Sequence, residues 1–374
     1  MIAPIALIHD IRQGAAGVTV PFQATETIIR HPPVSVVSPF GTRRGFNPEE
    51  LSLQGEFFVV EADRSWTLDG HRFLVNEDQG FFLDRVVTKP TDSLHALLAT
   101  DRDTGLCVQG TPSGFGYSPR RPDLAVVDLP GRVGLAVSVE PSNWGSFLLR
   151  VLPKAILLRH FGVDRLIARC AHPNQRQLLE LAGWRPDQIV EHQPARRYRA
   201  QRMVLPSQLC EQLALGMMGR SLIARMTPPA LRRDRKLFVS RRPRQSSRNM
   251  RYCINHDALE LRMQSLGFEV LYPERLSARE QMQVFAEAAM VVGPSGAGLF
   301  NSLFCGAGTT VLDIESEPSW IHGHSCLFSS LGLRYAIHIA RPTQDPMYPP
   351  PHRPFEVDLD ALAEQIEALQ RNVT

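Results

Sequence analysis

Apolar residues recur at helical spacing from Ser146 to His160, at Phe147, Leu148, Val151, Leu152, Ile156 and Leu157, and predict a helix there. Pro153 lies inside the pattern and should bend it, because proline has no N–H and crowds the preceding turn. Beyond it come a strand at Arg165-Leu166-Ile167-Ala168, a helix from about Asn174 to Ala182 stopped at Gly183, and strands near Gln188 to Glu191 and at Met203-Val204-Leu205. The alternation restarts with a strand at Leu237-Phe238-Val239-Ser240, a helix from about Asp257 to Leu266 and a strand at Phe268 to Leu271. Ser277-Ala278-Arg279-Glu280 fits a capping box and opens a helix to about Ala289. Then follow the strand Met290-Val291-Val292, a glycine loop, a short helix from Gly298 to Cys305, the strand Thr310 to Ile314, a helix after Trp320 and a strand near Tyr335 to Ile339. Such alternation predicts α/β architecture: two Rossmann-like units with parallel sheets flanked by helices.

The first 135 residues read differently, as short β-rich runs such as Phe57 to Val60 and Phe81 to Leu83 between Gly, Pro and Asp punctuation. The expected organisation is an N-terminal domain over residues 1–205, a basic connector over 206–235, a C-terminal domain over 236–345, and a proline-rich linker with a last amphipathic helix over 346–374.

With 374 residues, 43% of them hydrophobic, the chain can bury one large core or two ordinary ones, and disordered or fibrous classes are excluded. The net charge of +3 hides an asymmetry: Arg196 to Arg251 carries fifteen basic residues and two acids, so the rest of the chain is acidic. Lys89, Lys154 and Lys236 are the only lysines, and arginine offers bidentate geometry to phosphate. Six scattered cysteines without a CxxC pair argue against a zinc site and a disulfide framework. The apolar start, Met1 to Ile8, lacks a basic flank and is too short for a secretory signal, so a cytoplasmic protein is expected, with peripheral membrane contact left open.

Candidate chemistry centres on Gly293-Pro294-Ser295-Gly296-Ala297-Gly298, which follows a buried strand and opens a helix. Small residues there let a phosphate approach backbone N–H groups, although the spacing is neither the dinucleotide fingerprint nor a Walker A loop. At the end of the domain's first strand stand Ser240, Arg241 and Arg242, and the two strand ends together would clamp a diphosphate. Asp313 ends the next strand and is placed to accept ribose hydroxyls. His322 and His324 lack neighbours that would make them a metal pair, and no acidic cluster near the loop is expected.

Several ordered blocks carry a resemblance: Asn143-Trp-Gly-Ser-Phe-Leu-Leu-Arg-Val-Leu-Pro153, Leu237-Phe-Val-Ser-Arg-Arg242, Val292-Gly-Pro-Ser-Gly-Ala-Gly-Leu-Phe-Asn301, Thr310-Val-Leu-Asp-Ile314 and Leu331-Gly-Leu-Arg-Tyr335. Over residues 140 to 340 the chain resembles glycosyltransferase family 61, in its bacterial capsular and surface polysaccharide branch. The resemblance implies a GT-B fold, an inverting mechanism, no essential metal and no cofactor beyond a nucleotide-diphosphate sugar as donor. Its implied partners are that donor and a glycan, lipid-linked or protein acceptor. Arg241, Arg242, Gly293, Ser295, Gly296, Ala297, Gly298, Asn301 and Asp313 fall on donor-side motifs. The chain departs from the family pattern at Ser295, Ser146 and Arg150, where the family has histidine, histidine and an acid, and at Asp313, where it has glutamate. Inversion needs a base near the acceptor hydroxyl, and the nearest replacements are Glu140 and Asn143, with Ser295 limited to hydrogen bonding. Two other readings compete: a nucleotide-sugar binder without catalysis, and a nucleic-acid binder using the arginine-rich middle. The last ranks lowest because only Tyr198, Phe238 and Tyr252 interleave the basic stretch.

Overall fold

The alternation that begins at Leu237 closes into a single parallel sheet. The structure, a computed structural model, describes residues 3–7, 17–40, 49–64, 66–69, 73–75, 80–82, 107–111, 114–118, 125–138, 143–193, 196–241, 251–316, 321–344 and 352–371. The chain divides into two compact units, one of residues 1–26 and 54–212, the other of residues 27–53 and 213–374.

In the second unit the sheet strands are β1 (Ser35–Val37), β2 (Arg235–Val239), β3 (Glu269–Leu271), β4 (Ala288–Pro294), β5 (Thr310–Glu315) and β6 (Arg334–Ile339). They lie in the order β3-β2-β4-β5-β6-β1, and every pair is parallel. Leu237, Phe238, Val291, Val292, Val311 and Leu312 are fully buried, as strands covered by helices on both faces require. The helices are α1 (Met217–Met226), α2 (His256–Ser265), α3 (Ala278–Ala286), α4 (Ile321–Ser330) and α5 (Leu359–Arg371). The capping box at Ser277 forms: Ser277 Oγ accepts from Glu280 N–H at 3.3 Å and Glu280 Oε2 from Ser277 N–H at 2.7 Å. The helix it opens ends earlier than its alanines suggest, because Ala288 already pairs with Arg235 in the sheet. The segment after Gly298 is a 3-10 stretch, Leu299–Phe304. Strand β1 is a sixth strand, drawn from the N-terminal region, which sequence pattern does not reveal.

The first unit carries a mixed sheet. Ile189–Glu191, Arg165–Ala168, Val126–Leu135 and Arg197–Pro206 run parallel in that order, and Arg197–Pro206 then pairs antiparallel with Leu51–Asp63 and Thr67–Asp69. Its core gathers Phe58, Val60, Trp66, Leu68, Val133, Leu135, Ile167, Tyr198 and Met203. The expected helix from Ser146 is three consecutive stretches: α-helical Trp144–Ser146, π-helical Phe147–Val151 and α-helical Leu152–Arg159. Pro153 does disturb it, but by widening the turn ahead of it, where Leu152 N–H reaches back five residues to Phe147 O. Both units are thus α/β, with parallel strands flanked by helices.

Candidate functional site

Strand order in the second unit reverses at β2, which has β3 on one side and β4 on the other. In open parallel sheets the crevice at the carboxyl ends of such strands is where ligands sit. Here those ends are Ser240-Arg241 after β2 and Ser295 to Gly298 after β4, and the structure brings them together. Arg241 Nη1 donates to Ser295 O at 2.6 Å. A Cβ on Gly296 would lie 2.8 Å from the same nitrogen, so the guanidinium packs over the bare backbone of Gly296, whose φ of +150° also favours glycine. Gly293 serves a different end: a Cβ there would come within 2.7 Å of Val239 O, so glycine lets β2 and β4 close on each other.

Gly296, Ala297 and Gly298 are half-buried, as is Arg241, and among the described residues the N–H groups of these three meet no backbone carbonyl. Burial, followed by the like charge of Arg251, pulls the Arg241 guanidinium down to about 10, which still leaves it cationic at neutral pH. The 3-10 stretch after the loop has six residues, too few for a strong helix dipole, so Arg241 supplies the positive charge instead.

Behind the loop lies a buried polar network. Ser295 Oγ shares a hydrogen bond with His324 Nδ1 at 3.0 Å, and that nitrogen is 2.8 Å from Asp313 Oδ2. Tyr335 donates its hydroxyl to the same oxygen at 3.0 Å. Two residues along β5, Glu315 pairs with Arg251, and its Oε2 is 3.7 Å from His324 Nδ1. Asp313 and Glu315 are wholly buried, and Ser295, His324 and Arg251 nearly so. Burial pushes the Glu315 carboxyl up against the lowering charge of Arg251. Burial alone would lower His324, but Asp313 and Glu315 raise it overall, favouring the imidazolium. Burial and the Asp313 charge hold Tyr335 well above its ordinary value, so it stays a donor.

Three expectations are corrected by this network. Asp313 faces His324 and Tyr335 with no exposed surface, so it supports the loop from behind and is closed to a ribose. Ser295 turns its hydroxyl inward, leaving only its backbone at the crevice. An acidic cluster does stand beside the loop: ligand atoms of Asp313, Glu315 and His324 lie within 4.8 Å of one another. That spacing would admit an ion, and the Arg251 guanidinium paired with Glu315 already supplies one positive charge there. Asn301 is also buried, with Nδ2 donating to Gly298 O at 3.2 Å. Arg242 and Glu140 lie outside the described residues. Asn143, in the first unit, caps a helix: its Oδ1 accepts from Ser146 N–H at 3.1 Å. Ser146 and Arg150 are buried in that helix, Ser146 Oγ lying 2.5 Å from Ser138 Oγ.

Residues 144–312 match the family model Glycosyltransferase 61. No curated protein matches the chain significantly. The match covers less than half of the chain and supports glycosyltransferase family 61, and with it a sugar donor and an acceptor in general terms. Its span takes in Arg241 and the whole glycine loop and stops one residue short of Asp313. Glu315, His324, Tyr335 and Arg251 were not singled out as a group by sequence reasoning. Two carboxylates at alternate positions share one face of a strand, and inside an otherwise apolar strand they demand buried cations. That signal stands in Thr310-Val-Leu-Asp-Ile-Glu315.

Proposed function

We propose that the chain is a glycosyltransferase that takes its sugar from a nucleotide diphosphate, with the donor pyrophosphate received between Arg241 and the Ser295 to Gly298 backbone. The observation that carries this is the Arg241 guanidinium lying 2.6 Å from Ser295 O and over Gly296, at the reversal point of a parallel sheet. A cation beside three small residues whose N–H groups meet no backbone carbonyl among the described residues suits an anion that has to approach backbone closely.

In the reaction the acceptor hydroxyl oxygen attacks the anomeric carbon as its bond to the phosphate oxygen breaks. The electron pair leaves with the nucleoside diphosphate, and the acceptor proton passes to a base. Arg241 would stabilise the charge growing on the leaving phosphate. A single attack from the opposite face inverts the anomeric centre, in keeping with the family resemblance, as are a two-domain GT-B arrangement and a glycan or lipid-linked acceptor in surface polysaccharide assembly at the cytoplasmic side of a membrane. Glu140 is the proposed base.

A second reading is a donor-binding protein without transfer. Burial of Ser146 and Arg150 favours it, because neither side chain is open to an acceptor. A nucleotide-sugar panel followed by thermal shift and by product formation separates the two. Arg241→Ala is expected to weaken donor binding at least tenfold with the fold intact. Unchanged affinity in that variant would remove the pocket, and binding without turnover on any acceptor would select the second reading.

A further inference from the structure

The opposite edge of the second unit's sheet carries a different kind of surface. A cavity of about 380 Å³ there is lined by Arg220, Ile223 and Ala224 of α1, by Pro228 to Ala230 and Arg233 after it, and by Leu303 to Ala307 ahead of β5. Arg233, Cys305 to Ala307 and Leu331 each precede the first residue of a strand, so the cavity lies at the amino ends of the strands, away from Arg241 and Gly296.

This surface is cationic and carries exposed apolar side chains. From Leu213 to Arg233 there is no acid, and Arg220, Arg225, Arg232 and Arg233 are all exposed. Asp234 lies 3.6 Å from Arg232, and Glu287, paired with Arg235, also feels the charge of Arg232. Arg233 lies flat on Gly306, where a Cβ would collide with its guanidinium, and Arg220 donates to Ser330 O at 2.9 Å, so two of the four are held in place at the cavity. Among them stand Leu231, 88% exposed, and Met217, 63% exposed. Met217, Arg220, Ser221, Ala224 and Arg225 follow helical spacing along one exposed face of α1, and Leu231 directly follows the cavity-lining Ala230.

We infer that this face docks on a bilayer surface rich in anionic phospholipid, with Leu231 and Met217 entering the interfacial layer and the four arginines facing headgroup phosphates. Interspersed apolar and cationic groups match the layering of such an interface, where charge sits at phosphate depth and apolar matter just below. A bilayer also imposes no shape on the partner. Nucleic acid fits less well, because Leu213 to Arg233 contains no aromatic residue on which bases could stack. Among the described residues no helix is long and apolar enough to cross a membrane, so this contact is peripheral.

Co-sedimentation of the full chain with vesicles tests the inference without reference to sugar transfer. Phosphatidylcholine vesicles containing ~30% phosphatidylglycerol should bind the protein, pure phosphatidylcholine should not, and binding should fall as salt rises from about 0.1 to about 0.5 M. Each arginine near the surface is worth about fivefold, so Arg232→Gln with Arg233→Gln should lower the partition coefficient roughly twenty-five-fold. Leu231→Asp should lower it at least tenfold. All three side chains are exposed, so an unchanged thermal midpoint will show that the variants fold. Equal binding to both vesicle types, or full retention by the variants, overturns the inference. So does preference for a DNA oligonucleotide over vesicles, or a change of oligomeric state in Leu231→Asp with vesicle binding intact. Competition by soluble glycerol phosphate at millimolar level would equally overturn a bilayer as the partner.

Discussion

Lys154 carries its ammonium into the core of the first unit, where its Nζ donates to Val137 O at 3.1 Å. Burial pulls it down to about 7, and the like charge of Arg150 adds to the fall. Its ordinary value in an unfolded chain is about 10.4. Between those two pH values the unfolded state binds more protons than the folded state, so stability rises with pH across that window. Below about pH 7 the full cost of burying the charge is felt. Lys154→Met should therefore stabilise the protein by on the order of 4–5 kcal/mol at about pH 6, and the gain should vanish above about pH 10. Urea unfolding at the two pH values reads this directly. Nothing in the local sequence marks Lys154 as buried: only its place on the inner face of the Pro153 helix does so.

At the scale of elements, the loop after β4 shows what glycine is for. The group a side chain at position 296 would meet first is the Arg241 guanidinium, at 2.8 Å. Gly296→Val should then cost roughly 1–3 kcal/mol from the strained φ alone. It should also push Arg241 away, with donor affinity falling at least tenfold by calorimetry while the rest of the unit keeps its circular dichroism. The five strands of the second unit from β2 to β6 were legible because each is a local pattern: Leu237 to Val239 and Thr310 to Ile314 are apolar runs, and Ser277 and Glu280 announce a helix start between them. The site behind the loop was only half legible. Arg241 and Gly296 sit at strand ends that any parallel sheet brings together, whereas the partners of Asp313 come from α4 and β6 and that of Glu315 from the Arg251 segment, whose meeting depends on packing and not on spacing. The first hundred residues resisted reading for the same reason: Leu51–Asp63 finds a partner strand more than a hundred residues away, at Arg197–Pro206.

For the molecule as a whole, the fact with the widest reach is that β1 belongs to the second unit. Ser35 to Val37 pair with Ala336 to His338, Val34 N–H donates to Tyr335 O at 2.7 Å, and Gln365 of α5 donates to Ser35 Oγ at 3.0 Å. A fragment of residues 213–374 would bare the β6 edge and lose these bonds. It should unfold at a lower temperature and with less cooperativity than the full chain, and adding a peptide of residues 27–53 should raise its midpoint, as thermal melts followed by circular dichroism will report. There is also a consequence for synthesis. At ~5–20 residues per second, Val36 leaves the ribosome on the order of 15–60 s before Ile337 does, so the strand Ser35-Val36-Val37 must wait that long for its partner. A nascent chain held in that state keeps Val36 and Val37 exposed until their partner strand is made, so shielding by a chaperone is expected to raise the yield of finished protein.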